Sequence, residues 1–222
     1  MAFERIAILG CGLIGGSFAL GLRAAGFAGE IVGWDREETL AKATEREAID
    51  RGTSEFNQAV VGADLIYLAT PVTLILDLLP AVGRTAKRGA LVTDAGSTKV
   101  QICRLAREAL PEGILFLGGH PLAGKEASGI DNAEADLFAG SKYVIVPAGK
   151  ADAPPKAGFG VAEEFLGWVR RLGAETVEMD AETHDWALAL ISHLAQLMAT
   201  ALASTLWDET DEDGLPLTLA AG

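Results

Sequence analysis

The chain is poor in cysteine, in histidine and in basic residues. Its 222 residues include two cysteines, Cys11 and Cys103. They are too few for a disulfide framework and lack metal-ligand spacing, so no metal site is expected and a reducing, cytoplasmic setting is. Eighteen Lys and Arg face 31 Asp and Glu, a formal net charge of −13. A chain this acidic repels nucleic acid and anionic lipid, so neither is expected as a partner. Any anionic ligand must then meet locally placed cations or backbone donors. Phe3-Glu4-Arg5 reads as entering the first strand directly, so no signal peptide is expected. No uninterrupted apolar run reads as long enough to cross a bilayer, and there is no internal repeat.

What is present is globular. Half of the residues are apolar, spread evenly between loops rich in glycine and charge. Short apolar runs alternate with longer helical ones. Strands are expected at Ile6–Leu9, Glu30–Trp34, Asp64–Ala69, Ala90–Thr93, Leu115–Leu117, Tyr143–Val146 and Glu175–Met179. Helices are expected at Leu13–Ala25, Glu37–Arg46, Val72–Thr85, Val100–Leu110 and Val161–Leu172, with a surface loop at Pro147–Gly160. This is the pattern of a parallel sheet covered on both faces. From Ala181 to about Trp207 the helix has no clearly polar face. Such a helix must be buried all round, and at this length it would run about 40 Å. Ser192, His193, Gln196 and Thr200 in its middle argue against a membrane span. It reads instead as the spine of a second domain packed against another subunit.

Gly10-Cys11-Gly12-Leu13-Ile14-Gly15 follows the first strand and opens the first helix. Gly10 permits the tight turn, Gly12 lets backbone approach a pyrophosphate, Gly15 lets helix pack on strand, and the helix N-terminus offers N–H donors. A plain glycine-rich turn is the bland alternative. Against it stand the strand–turn–helix context and Asp35, which closes the second strand. Asp35 can accept hydrogen bonds from the adenosine ribose hydroxyls and would repel a 2′-phosphate, which favours NAD over NADP; the adjacent Arg36 pulls the other way. The fold expected is therefore α/β, a Rossmann-type doubly wound, mostly parallel sheet over residues 1–180. The start of an all-helical dimerisation domain would occupy 181–222.

Other groups lie at the carboxyl ends of strands, where such sheets bind ligands. Thr70-Pro71 is one, although Pro at a helix start is ordinary. Asp94-Ala95-Gly96-Ser97-Thr98-Lys99 is another, either a helix start capped by Ser97 or Thr98 or a ligand loop with Lys99 as a local cation. Gly118-Gly119-His120-Pro121 continues through Leu122-Ala123-Gly124-Lys125-Glu126 to Gly129. It reads as a loop carrying a histidine, the natural base for a hydroxyl that loses its proton as hydride leaves.

Taken together, Gly12–Ser17, Ala69-Thr70-Pro71, Asp94–Lys99, His120–Gly129, Leu137-Phe138 with Gly140, Met179–Asp185 and Ile191–Leu194 resemble the motif set of the prephenate/arogenate dehydrogenases of tyrosine biosynthesis. The resemblance implies an NAD-dependent oxidoreductase, a homodimer, that oxidatively decarboxylates prephenate or arogenate. It implies His120 and Ser97 at the substrate hydroxyl, with Ser97 also near the nicotinamide. Lys99, Lys125, Glu126, His193 and Gln196 would be substrate contacts. Gly10, Gly12, Leu13, Ile14, Gly15, Asp35, Arg36, Thr70 and Pro71 would hold the cofactor. Gln196 stands where many members carry a second histidine. His184 and His193, nine residues apart at about 100° per residue, would face opposite sides of the helix. The family also continues past the position of Gly222 into a segment whose arginine meets the ring carboxylate. Two other readings compete: the β-hydroxyacid dehydrogenases, which would place a lysine on the long helix, where none follows Lys156, and a nucleotide-binding module without turnover.

Overall fold

The computed structural model describes residues 3–147 and 159–208. The chain forms two compact units, Met1–Ala181 and Glu182–Gly222. The first is an eight-stranded sheet in the order β3-β2-β1-β4-β5-β6-β7-β8. Its strands are β1 Arg5–Leu9, β2 Glu30–Trp34, β3 Arg51–Thr53, β4 Leu65–Leu68, β5 Leu91–Asp94, β6 Leu115–Pro121, β7 Lys142–Pro147 and β8 Glu175–Glu178. Every neighbouring pair is parallel except β6 with β7. The helices of this unit are α1 Leu13–Ala24, α2 Glu37–Glu45, α3 Phe56–Val60, α4 Val72–Thr85, α5 Val100–Ala109 and α6 Phe159–Arg171. The expected Rossmann-type sheet is present. The expected loop over 147–160 lies mostly outside the described residues; Pro147 ends β7 and Phe159 begins α6.

Strand alternation sorts the core into two layers. Ile6, Ile8, Leu65, Tyr67, Leu91, Tyr143 and Ile145 face one way, against Phe18 and Leu22 of α1, Leu40 of α2 and Phe165 of α6. Ala7, Leu9, Ile66, Leu68, Val92, Val144 and Val146 face the other, against Ile75 and Leu79 of α4 and Ile102 of α5. Phe18 stacks on Tyr67 with ring centroids 4.1 Å apart, so α1 is keyed to β4. The Tyr143 hydroxyl donates to that of Tyr67 at 3.2 Å, and both rings are fully buried. Burial pushes both phenols well above the ordinary tyrosine range.

Three local features depart from the sequence reading. The short edge strand β3 and helix α3 were not foreseen, because Arg51-Gly52-Thr53 has no apolar pattern and is held by pairing with β2. Strand β6 runs on to Pro121, so His120 lies on a strand rather than in a loop. Gly118-Gly119-His120-Pro121 has weak strand propensity, yet β7 supplies a pairing partner for every residue from Leu117 to Pro121.

Helix α7, Ala181–Leu188, leads into the second unit, which passes through a π-helical stretch, Ala189–Leu194, and continues as α8, Ala195–Asp208. Leu188 is buried, but among the described residues several of the unit's other apolar side chains are uncovered. Trp186, Ile191, Leu197, Met198 and Leu202 are each more than three-fifths exposed in the single chain, the surface for which packing against another subunit is expected. By length and composition alone, the 25-residue helix Ala181–Thr205 is long and apolar enough to cross a membrane, since it contains an 18-residue window of mean hydropathy 1.5. Ser192, His193, Gln196 and Thr200 interrupt the helix, so the measure is met by the average and not by an uninterrupted apolar run. The assignment of His184 and His193 to opposite faces also loses its basis. A π turn closes from residue i to i+5 and winds less per residue than an α-helix.

Candidate functional site

The site is built where β1 and β4 part at their carboxyl ends. Gly10 leaves β1 with φ +100°, a left-handed conformation that favours glycine, and a Cβ there would stand 2.6 Å from the Ala69 carbonyl oxygen. Gly15, one turn into α1, would drive a Cβ into the carbonyl oxygen of Gly10. Gly12 differs from both: nothing lies within 4 Å of the place its Cβ would take. It caps α1 with backbone only, no side chain accepting from the first turn. Leu13 and Ile14 are half-buried at the helix start. Open space beside Gly12 and uncapped N–H groups form a cradle suited to a phosphate group.

Asp35, just past β2, braces this loop. Its Oδ2 accepts the Cys11 N–H at 2.8 Å and its Oδ1 accepts the Arg36 N–H at 2.7 Å. The carboxylate remains one-fifth exposed, while Arg36 is nine-tenths exposed and its Nε lies 4.0 Å from Asp35 Oδ1. Cys11 fills the space behind the loop. Burial, with the charge of Asp35 second, pushes its thiol up to about 12, so it stays protonated and unreactive at neutral pH. At the end of β4, half-buried Thr70 precedes Pro71, the backbone N-cap of α4. Thr70 Oγ1 is buried without a hydrogen-bond partner among the described residues.

The end of β5 is organised by charge. Asp94 and Lys99 are both fully buried and form an ion pair. Asp94 also accepts N–H groups from Gly96 at 2.9 Å and from Gly119 at 3.3 Å. Lys99 is therefore no local cation for a substrate, contrary to the sequence reading. It occupies the N-cap of α5, so neither Ser97 nor Thr98 caps that helix by its side chain. Ser97 is exposed on the loop between. On β6, His120 is half-buried and pairs in register with Val144. Its predecessor Gly119 fits because a Cβ would stand 2.6 Å from the Asp94 carbonyl oxygen and 3.0 Å from the Tyr143 ring.

Beyond His120, Lys125 is paired with Glu134 and is not an unmatched cation either; Glu126 is exposed. The carboxyl edge of the sheet thus brings together Gly10, Gly12, Leu13, Ile14, Gly15, Asp35, Thr70, Pro71, Ser97 and His120. Gln196 and His193 belong to the second unit. Gln196 is exposed and donates from Nε2 to Thr200 Oγ1 at 3.5 Å; the side chain of His193 lies outside the described residues. His184 is fully buried and its Nδ1 lies 2.7 Å from Asp185 Oδ1. The sequence reading gives Asp94 no role of its own in the loop it opens. An acid ending a strand five residues before a lysine was the available signal.

The family described as prephenate dehydrogenase, nucleotide-binding domain, matches residues 18–161. A prephenate dehydrogenase of Lactococcus lactis subsp. cremoris is 35% identical over 221 residues, which is 99% of this chain and 58% of that protein. The chain thus spans little more than half the length of that relative. The crystal structure of prephenate dehydrogenase from Aquifex aeolicus in complex with hydroxyphenyl propionate and NAD+ superposes with a TM-score of 0.83 at 29% identity, over 96% of this chain and 73% of that one. A Synechocystis arogenate dehydrogenase structure gives 0.76 at 33% identity, over 98% and 74%.

The glycines separate stability from binding. Gly15→Ala should destabilise the fold by about 1–3 kcal/mol, the usual cost of overpacking, in urea unfolding. Gly12→Ala should leave the unfolding midpoint unchanged and weaken nucleotide binding, measured by titration. Loss of stability at Gly12, or none at Gly15, would contradict the geometry.

Proposed function

The chain belongs to the prephenate dehydrogenase nucleotide-binding domain family, and from that premise we propose that it is an NAD-dependent oxidoreductase converting prephenate to 4-hydroxyphenylpyruvate with loss of carbon dioxide. The observation that carries this reading is the arrangement at one sheet edge. An open glycine cradle on β1 lies across the switch point from Ser97 after β5 and His120 on β6.

NAD, when bound, supplies the hydride acceptor. Gly10, Gly12 and the first N–H groups of α1 would hold its pyrophosphate, with Asp35 at the adenosine ribose and Thr70 and Pro71 beside the path to the nicotinamide. Ser97 and His120 would hold the substrate's ring hydroxyl. As the carbinol C–H leaves as hydride, His120 takes the hydroxyl proton. The bond to the ring carboxylate breaks, its electron pair enters the ring, and the oxygen recovers a proton as phenol. Aromatisation drives the step, so the protein's tasks are orientation and the custody of one proton. Glu126 would line the same site.

Arogenate carries an amino group where prephenate carries a keto group, and the similarity to the Synechocystis arogenate dehydrogenase keeps it as the second substrate. Nicotinamide reduction measured side by side on both separates them. A cytoplasmic location goes with this reading, as do two buried cysteines.

NAD should bind at least about tenfold tighter than NADP in calorimetric titration. Asp35→Ser should narrow that gap and also weaken NAD, because the loop loses its brace on Cys11. Equal affinities in the unaltered chain would assign the pocket to Arg36.

His120→Asn should lower turnover on the order of a hundredfold, the scale of general acid–base catalysis, with NAD affinity held. Turnover within about threefold would remove His120 from the role.

We place the exposed apolar surface of α7 and α8 against a second copy of the chain. A surface of Trp186, Ile191, Leu197, Met198 and Leu202 does not stay in water alone. Light scattering should give the mass of a dimer; a stable monomer across the micromolar range would refute it.

A further inference from the structure

The residues that follow the glycine loop, Gly16 and Ser17, pack against a segment distant in sequence. A Cβ on Gly16 would stand 2.5 Å from Ile130 Cδ1 and 3.0 Å from the Ala133 Cβ. The Oγ of fully buried Ser17 accepts the Glu134 N–H at 2.9 Å. Both contacts receive the far end of the segment that leaves His120 and returns to β7. That end is a single 3-10 turn, Ile130–Asn132, entered through Gly129 at φ +88°. Ile130 and Ala133 are buried.

A second fastening comes from just beyond the end of α2. The Arg46 guanidinium donates to the carbonyl oxygens of Ile130 and Ala133, the latter at 2.6 Å. One turn earlier, on α2 itself, Lys42 Nζ lies 2.7 Å from Asp131. The near end is fixed as well, by β6 itself and by the Leu122 N–H donating to the Lys142 carbonyl at 2.8 Å. Between the two anchors, Leu122 to Gly129 is exposed except for half-buried Ala123. This strap carries Lys125 and Glu126.

The helices that grip the strap are those that follow the two nucleotide elements: α1 after the glycine cradle, α2 after Asp35. A short helix moves as a unit, so a displacement of Asp35 is transmitted to Arg46. One planar guanidinium set on two carbonyl oxygens fixes direction as well as distance. We propose that Arg46 is a positioning residue that ties the Leu122–Gly129 strap to the adenosine side of the nucleotide site, so that filling that site orders the strap beside His120. The proposal rests on the nucleotide reading above. By linkage, whatever orders the strap must then tighten nucleotide binding to the same degree.

Hydrogen–deuterium exchange on the 222-residue chain, with and without saturating NAD+, tests it. NAD+ should slow exchange of the glycine-loop amides and, on the order of tenfold, of the strap amides from Leu122 to Gly129. In Arg46→Ala the strap response should vanish while the glycine-loop response persists and NAD+ affinity falls by no more than the linked amount. Arg46→Lys, which keeps the charge and one donor direction, should restore part of it. A glycine loop that responds in the unaltered chain while the strap does not would overturn the proposal. So would a strap response that survives in both Arg46 variants. Absence of any NAD+ binding would overturn the nucleotide reading, and this inference with it.

Discussion

Asp94 has no exposed surface, and around its carboxylate stand one ammonium group and two backbone N–H groups. Those partners come from three places: Gly96 in the loop after β5, Lys99 at the start of α5, and Gly119 on β6. Both proposed catalytic groups hang on this arrangement, since Ser97 lies between two of the partners and His120 follows the third. Removing one member of a buried pair leaves an uncompensated charge, typically costing about 3–5 kcal/mol. The pair thus fixes where Ser97 and His120 stand, at the expense of a cation that a sequence reading would assign to substrate. Gly96 and Gly119 are required by the same crowding. A Cβ on Gly96 would come within 2.9 Å of the Asp94 carboxylate itself.

Much of the nucleotide half is legible from residue order because its signals are local. Gly10, Gly12 and Gly15 specify a turn whose constraints lie within one strand, one helix start and Ala69. Alternation such as Ile6-Ala7-Ile8-Leu9 sorts side chains to two faces regardless of what comes later. Features that failed to show are set by distant partners. Strand β3 exists because β2 offers it an edge, and β6 reaches His120 because β7 pairs it there. Lys99 and Lys125 look like ligand cations until Asp94 and Glu134 are placed beside them. Phase counting between His184 and His193 fails for a local reason that no periodicity reveals, the π stretch from Ala189 to Leu194.

Asp35 illustrates how one side chain can serve two demands. A ribose-reading acid needs free acceptor capacity, yet this carboxylate already takes the Cys11 and Arg36 N–H groups. A carboxylate has about four lone-pair directions, so two are left for ribose hydroxyls. The bond to Cys11 holds the glycine turn at the height at which the second strand ends. The proposed reading of the sugar and the shape of the phosphate cradle would then depend on one carboxylate. Burial and the same carboxylate keep the Cys11 thiol protonated.

The charge balance sets how such a protein can hold anions at all. With a formal net charge of −13, long-range attraction is of the wrong sign for a dinucleotide or a dicarboxylate. The two lysines nearest the proposed site are neutralised within the fold. The donors offered at the cradle are instead peptide N–H groups at the start of α1, oriented by the helix and uncapped by any side chain. Peptide dipoles add no net charge and carry no long, flexible side chain to be ordered on binding. Because the helix points them before the ligand arrives, the cost of arranging them is met during folding. Gly12 then matters less as a flexible residue than as an absence of side chain. Its φ of −75° suits any residue, and what glycine supplies there is the open space through which a phosphate can reach those donors.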